Sequence, residues 1–223
     1  MTTISSTTLF NFTDKLEYLI DNLENGFYCA NTYESLPTGA NGYVAPMVCF
    51  CDIPLSLIKE HFNWYGRYGI GIKRAYARSL GVNPVWYVTS ENRLVTNLIK
   101  TKELPDYERK YLLPYLKKFL GYQKYKDNTY KRKKLYDEHE WRFIYDPNLV
   151  ESLIGQLVIH NTENESDMRM PLDLNEIEYI IIKNETEFDK MLEKLEQLSK
   201  TKGIRYETLI SKLITAKQIE RDF

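Results

Sequence analysis

The residues best suited to chemistry in this 223-residue chain fall in two short stretches. In "YDEHEWRFIYD" (136–146), Glu138, Glu140 and Arg142 recur at every second position. A strand beginning near Asp137 would put all three side chains on one face. Such a face can hold a catalytic carboxylate beside the group that orients it, and it can equally form a salt-bridge ladder. The second stretch, "APMVCFCDIPLSLIKEH" (45–61), places Cys49 and Cys51 two residues apart and closes an apolar run with Asp52. Thiols two apart on a strand point the same way, so a metal is geometrically possible. Structural zinc, however, wants four ligands, commonly in C-x-x-C pairs, and Cys29, His61, His139 and His160 are scattered. We therefore expect no metal, with Cys49 and Cys51 as packed, reduced strand thiols. Asp52 can cap the segment that follows it or line a cleft.

Phosphate-cradling glycine loops, Walker motifs, GxSxG and HExxH are absent from the sequence. The glycines of "GRYGIG" (66–71) lack the dinucleotide spacing and instead read as a strand that allows close approach of a neighbour.

These residues need elements to position them. "LFNFT" (9–13) alternates like a first strand. The segment after it carries Leu16, Leu19, Ile20 and Leu23 at helical spacing, with Thr13 placed to cap and Gly26 to stop. Residues 29–43 are polar and rich in Gly, Asn and Pro, the composition of a loop. Strands are predicted at 45–51, 68–73 and 84–88, with Pro54 in the first turn of an intervening helix and a helical turn near 74–81. Apolar spacings of three and four between 90 and 125 predict a helical insertion, kinked or divided at Pro114. Residues 124–139, with the basic run Lys131, Arg132, Lys133, Lys134, read as a solvated loop. Further strands are expected at 140–146, in "LIGQLVIH" (153–160) and in "EIEYIIIKN" (176–184), then a long amphipathic helix from 186 to 203 capped by Asn184 or Thr186. A turn and last strand close the chain. The pattern predicts one α+β domain over 1–223, with a central mixed or antiparallel sheet, flanking helices and the insertion.

Composition excludes several classes. With 43% hydrophobic residues the chain can build a core without disulfide staples, and three cysteines form no disulfide framework. Thirty basic against 31 acidic residues leave a net charge of −1, so nothing draws the whole molecule to nucleic acid or an anionic membrane. No membrane span and no signal peptide are legible, and a cytoplasmic protein is expected. Eighteen tyrosines fit a mixed core or a contact surface.

Taken in order, "LFNFTDKLEYLIDNLENGF", "PMVCFCDIPLSLIKEHFNWYGRYGIGI", "NPVWYV" and "YDEHEWRF" resemble the bacterial abortive-infection family AbiGi, and "YETLISKLITAKQIERDF" resembles its closing segment. The stretch 47–72 is the most specific. The resemblance implies an antitoxin of a phage-defence pair, a protein toxin as partner and no cofactor. The family's usual "LFHFT" carries Asn11 here in place of a histidine, an amide that cannot titrate. The order of elements also weakly resembles the ADP-ribosyltransferase-like fold. That resemblance implies Asn11, Tyr68 and Glu140 as the matching positions, with Glu138 completing an ExE-like pair and NAD as cofactor. Under either reading, Asn11, Asp52, Tyr68, Glu138, Glu140 and Arg142 are expected to converge on one polar cleft.

Overall fold

The computed structural model describes residues 6–35, 43–93, 95, 97, 112–125, 127, 129–145 and 168–222. The chain runs through β1 (Thr8–Thr13), α1 (Leu16–Asn25), β2 (Phe27–Tyr28), β3 (Ala30–Glu34), β4 (Tyr43–Cys51), α2 (Lys59–Tyr65), β5 (Tyr68–Lys73) and α3 (Arg74–Ser79). It continues through β6 (Asn83–Pro84), β7 (Trp86–Val88), β8 (Leu116–Lys118), β9 (Leu120–Lys124), β10 (Tyr130–Lys134), β11 (Glu140–Ile144), β12 (Arg169–Met170), β13 (Ile177–Ile182) and β14 (Leu213–Thr215). A helix Phe188–Lys202 and two short ones, Tyr206–Ile210 and Ala216–Asp222, complete the C-terminal part. Eight strands form one sheet in the order β14-β13-β5-β1-β4-β11-β6, with β3 also paired to β4. The β13–β14 pairing is parallel and the others in this sheet are antiparallel, which is the expected mixed α+β architecture.

Alternation divides the sheet into two faces. Leu9, Val48, Phe50, Ile70, Phe143 and Ile180 lie on one, packed with α1 and with Met191, Leu195 and Leu198 of the long helix. Phe10, Cys51 and Ile181 lie on the other, covered by Phe62 of α2 and Ile219 of the C-terminal helix. In α1, Leu16, Leu19 and Leu23 at spacings of three and four make the buried stripe, each worth about 2 kcal/mol of burial, and Gly26 at φ 85° ends the helix. Lys15, not Thr13, occupies its N-cap, without a side-chain capping bond. The close approach expected at the β5 glycines is present: a Cβ on Gly71 would sit 2.7 Å from the Phe10 ring, and one on Gly69 2.7 Å from the Phe12 ring.

Several expectations are corrected. Residues 30–34, read as loop, form β3, whose polar side chains are carried by pairing to β4. Residues 116–124, read as helix, form β8 and β9, because sheet pairing outweighs a local apolar spacing compatible with either element. Residues 130–134, read as loop, form β10, paired along its length with β9. The C-terminal segment has its strand at 213–215 and then turns helical. The remainder of the proposed insertion, 98–111, and the "LIGQLVIH" strand lie outside the described residues. Among the described residues, no helix is long and apolar enough to cross a membrane.

Candidate functional site

β11 pairs with β4 so that Glu140 lies opposite Cys51 and Arg142 opposite Cys49. Directly opposed residues share a face, so two carboxylate- and guanidinium-bearing residues stand beside both thiols. The strand starts at Glu140, as expected, and does not reach back to Asp137, the start that would have put Glu138 on the same strand face. Residues 135–138 make a 3-10 turn, and His139 adopts the left-handed conformation at φ 44°. Its carbonyl accepts the amide of Asp52 at 3.0 Å, and its own amide donates to Tyr136 O at 3.1 Å. This kink turns Glu138 inward, so that it meets Glu140 without a shared strand.

The cations come from elsewhere. Lys117 on β8 donates its Nζ to Glu138 Oε2 at 2.6 Å and also to Glu140 Oε2. Lys133 on β10 donates to Glu138 Oε1 at 2.6 Å. Arg142, fully buried, donates Nε to Glu140 Oε1 at 2.6 Å, Nη2 to Glu34 Oε1 at 2.5 Å and Nη1 to Pro114 O at 2.6 Å. The Tyr65 hydroxyl donates to Glu138 Oε1 and accepts from Gln123 Nε2 at 2.8 Å. Three carboxylates thus face three cations in a nearly dry site.

Burial works against charge here, but at Glu140 the neighbouring Lys117 and Arg142 outweigh it and hold the carboxyl at about 2. Glu138 is lowered in the same way, burial again being overcome by Lys117 and Lys133. Burial is likewise outweighed at Lys117, which Glu140 and Glu138 hold well above the ordinary lysine range. At the rim burial wins: Glu34 is raised and Lys133 lowered. Nearby His61, buried, is pushed down to about 4. A general acid or base works best with a pKa near the working pH, and it needs a free oxygen toward its substrate. Glu140 has neither: it is a fixed anion with both oxygens engaged by cations. Such a network holds strands in register, and removing one partner would strand the others.

Lys117 and Glu34 also form part of the wall of an open groove of about 1180 Å³, whose other walls come from β9, β10 and the turn after β7. A second, smaller cavity of about 300 Å³ lies between Asp52, His61, Lys133 and His139.

Comparison with known proteins matches residues 40–183 to the family described as "Putative abortive phage resistance protein AbiGi, antitoxin". The chain belongs to the AbiGi family. A curated relative from Lactococcus lactis subsp. cremoris, named "Abortive phage resistance protein AbiGi", is 23% identical over 242 aligned positions, covering 90% of this chain and 96% of its own. No solved structure matches. The AbiGi match contains Asp52, Tyr68, Lys117, Lys133, Glu138, Glu140 and Arg142, and leaves Asn11 and Glu34 outside it.

Of the residues singled out from sequence, the AbiGi fold brings Glu138, Glu140 and Arg142 together, leaves Asp52 beside the smaller cavity with its carboxylate turned to other partners, and places Asn11 and Tyr68 on the opposite face. Asn11 alternates onto the opposite face of the sheet and donates Nδ2 to Cys49 O at 2.9 Å, bridging β1 to β4 just past their single register pair. Tyr68 shares that opposite face with Leu9 and donates its hydroxyl to Glu187 Oε1 at 2.6 Å. Asp52 accepts from Ser6 N at 2.8 Å and from Arg74 Nη1 at 3.0 Å, tying the first residues and α3 to the end of β4. Sequence reasoning missed Lys117 and Glu34, and it read Lys133 as part of a solvated loop and Tyr65 as an exposed contact residue, whereas both reach Glu138. A signal for Lys117 existed: two lysines inside the apolar run "LPYLKKFLGY" need a reason to be there. Among the described residues, no group of three or more His, Cys, Asp or Glu could hold a metal ion.

Proposed function

We propose that this AbiGi protein is the restraining component of a phage-defence pair: it binds a protein toxin and holds it inactive, and it does so without catalysis of its own. The observation that carries this reading is the closure of the Glu138–Glu140 site. The most enzyme-like residues of the chain are spent on Lys117, Lys133 and Arg142, and the two glutamates are held ionised. The family description as an antitoxin supports the same reading. A closed ionic core of this kind keeps strands β3, β8, β10 and β11 fixed relative to each other, which suits a rigid binding platform.

The rival reading takes Glu138 and Glu140 as the ExE-like pair of an ADP-ribosyltransferase, with Asn11 and Tyr68 holding NAD. It would require Glu140 to release Lys117 or Arg142 before meeting a ribose, and Asn11 and Tyr68 to act from the other face of the sheet. Co-expression of the full chain with the product of the adjacent gene tests the proposal. A stable complex, with growth arrest by the partner relieved, is the expected result. Labelled macromolecules after incubation with labelled NAD, lost in Glu140→Gln, would overturn it.

A further inference from the structure

The β9–β10 hairpin has a second face that the ionic core does not use. Its register sets Tyr122 opposite Arg132, Tyr130 opposite Lys124 and Leu120 opposite Lys134. Intervening positions turn Gln123 and Lys133 inward to Tyr65 and Glu138. The period-two alternation that supplies the core therefore aims the other set outward together. Tyr122 is 73% exposed and Tyr130 69%, values far above those of aromatic rings that serve a core. Tyr33 of β3, 65% exposed, stands among the residues that line the same groove. Lys118, Lys124 and Arg132 line it too, and none of the three has an ion-pair partner among the described residues. Over 117–134 the sequence places eight Lys or Arg against the single acid Asp127. At about 1180 Å³, the groove exceeds the usual few hundred to 1,000 Å³ of small-molecule pockets and is open, as suits an extended ligand.

We propose that this groove binds single-stranded nucleic acid, with bases stacking on Tyr122 and Tyr130 and phosphates meeting Lys118, Lys124 and Arg132. Interleaved exposed aromatic planes and unpaired cations are the chemistry of single-strand recognition. An acidic polypeptide would use the cations but has no need of bare tyrosine faces. A duplex keeps its bases stacked and offers the rings nothing to stack on. Read as a loop, these residues would point in all directions. Paired as a hairpin, they form one surface. Glu91 and Glu34 also border the groove; Glu34 is engaged by Arg142, and Glu91, which accepts from the Ser90 hydroxyl, keeps its charge against the three cations. The inference is independent of whether the protein restrains a toxin.

Fluorescence anisotropy of the full chain with labelled oligonucleotides of about 12 nucleotides tests it, using RNA, DNA of the same sequence, and the duplex. Single strands should bind at about 50 mM salt with a log–log salt slope near −2, from three cations at roughly 0.7 each. Tyr122→Ala and Tyr130→Ala should each weaken binding roughly 5- to 100-fold while Phe at either position restores it, and Arg132→Gln should reduce the slope by about 0.7. The RNA and DNA arms decide whether the 2′-hydroxyl matters, and binding of either supports the proposal. Unchanged thermal melts certify that the exposed-site variants fold. No binding at low salt would overturn the proposal. So would equal affinity for the duplex, or competition by poly-glutamate with both tyrosine variants unaffected, which would mark a surface for acidic polypeptide.

Discussion

Arg142 donates its Nε to Oε1 of Glu140 at 2.6 Å, from two positions along the same strand and the same face. Neighbours of that kind are usually exposed ladder partners of little energetic weight. Here both are buried, so neither charge can fall back on water, and the pair stands only because Lys117 and Glu34 complete it. The cluster is thus a unit in which each charge depends on the others.

Removing Lys117 should expose that dependence. Lys117→Met leaves Glu138 and Glu140 facing each other with one cation fewer, and should destabilise by about 3–5 kcal/mol in urea titrations at neutral pH. Adding Glu140→Gln to Lys117→Met should recover part of the loss. A change below about 1 kcal/mol for the single variant would mean that the cluster is solvated and contributes little.

Gly71 should resist substitution for a steric reason unrelated to backbone strain. An alanine Cβ there would meet Phe10 Cε1 at 2.7 Å and Thr8 Cγ2 at 2.9 Å. Gly71→Ala is expected to cost about 1–3 kcal/mol, as overpacking does. Phe10→Leu combined with it should lose less than the two separate losses added together, which a double-mutant cycle by chemical denaturation would measure.

Sequence carried the faces of individual strands but not their register. That Cys49 and Cys51 share a face, and that Glu140 and Arg142 do, follows from period two and is what the structure has. Whether Asn11 and Tyr68 join them depends on how β1 pairs with β4 and β5 with β1, and the pairing of Phe10 with Cys51 sends Asn11 to the other side. A shift of one residue would have reversed that outcome. Lys117 was hidden because Leu112, Leu113, Leu116 and Leu120 fit a helical stripe as well as they fit two strands. The basic run was hidden because β10 has no apolar face of its own. Its inward side is Lys133, half-buried and ion-paired with Glu138, which hydropathy does not register.

The thiols should be silent. Cys29, Cys49 and Cys51 are all free, and burial pushes Cys29 up to about 12 and raises the other two as well. A thiolate is the reactive species, so alkylation at about pH 8 should label none of them quickly in the folded protein and all three in denaturant. Cys49 is only partly covered, but its thiol is raised well above the ordinary range, by burial and then by the Glu140 charge, so its labelling should be slow too. Mass spectrometry of iodoacetamide-treated protein over time follows the labelling. Rapid labelling of Cys29 or Cys51 in the native state would contradict the packing described for β4.

Acid should unfold the protein in two stages that belong to different residues. Burial lowers His61 from 6.5 to about 4, so the unfolded chain takes up its proton first, and stability held above pH 6.5 is lost as the pH falls toward 4. Glu140 is lowered from 4.5 to about 2 against the effect of burial, by Lys117 and Arg142, so its contribution is full above pH 4.5 and disappears between 4.5 and 2. Glu138 acts in the same direction as Glu140, whereas Glu34, raised by burial, opposes them and softens the second stage. Glu140 alone accounts for on the order of 3 kcal/mol. Urea unfolding free energies measured from pH 8 to 3 should therefore begin to fall near pH 6.5 and steepen below 4.5. His61→Gln should flatten the first stage and leave the second, and Glu140→Gln should lower stability at pH 7 while flattening the second. A single transition centred on the ordinary carboxylate range and unchanged by either substitution would show that neither group is held as its burial and partners require.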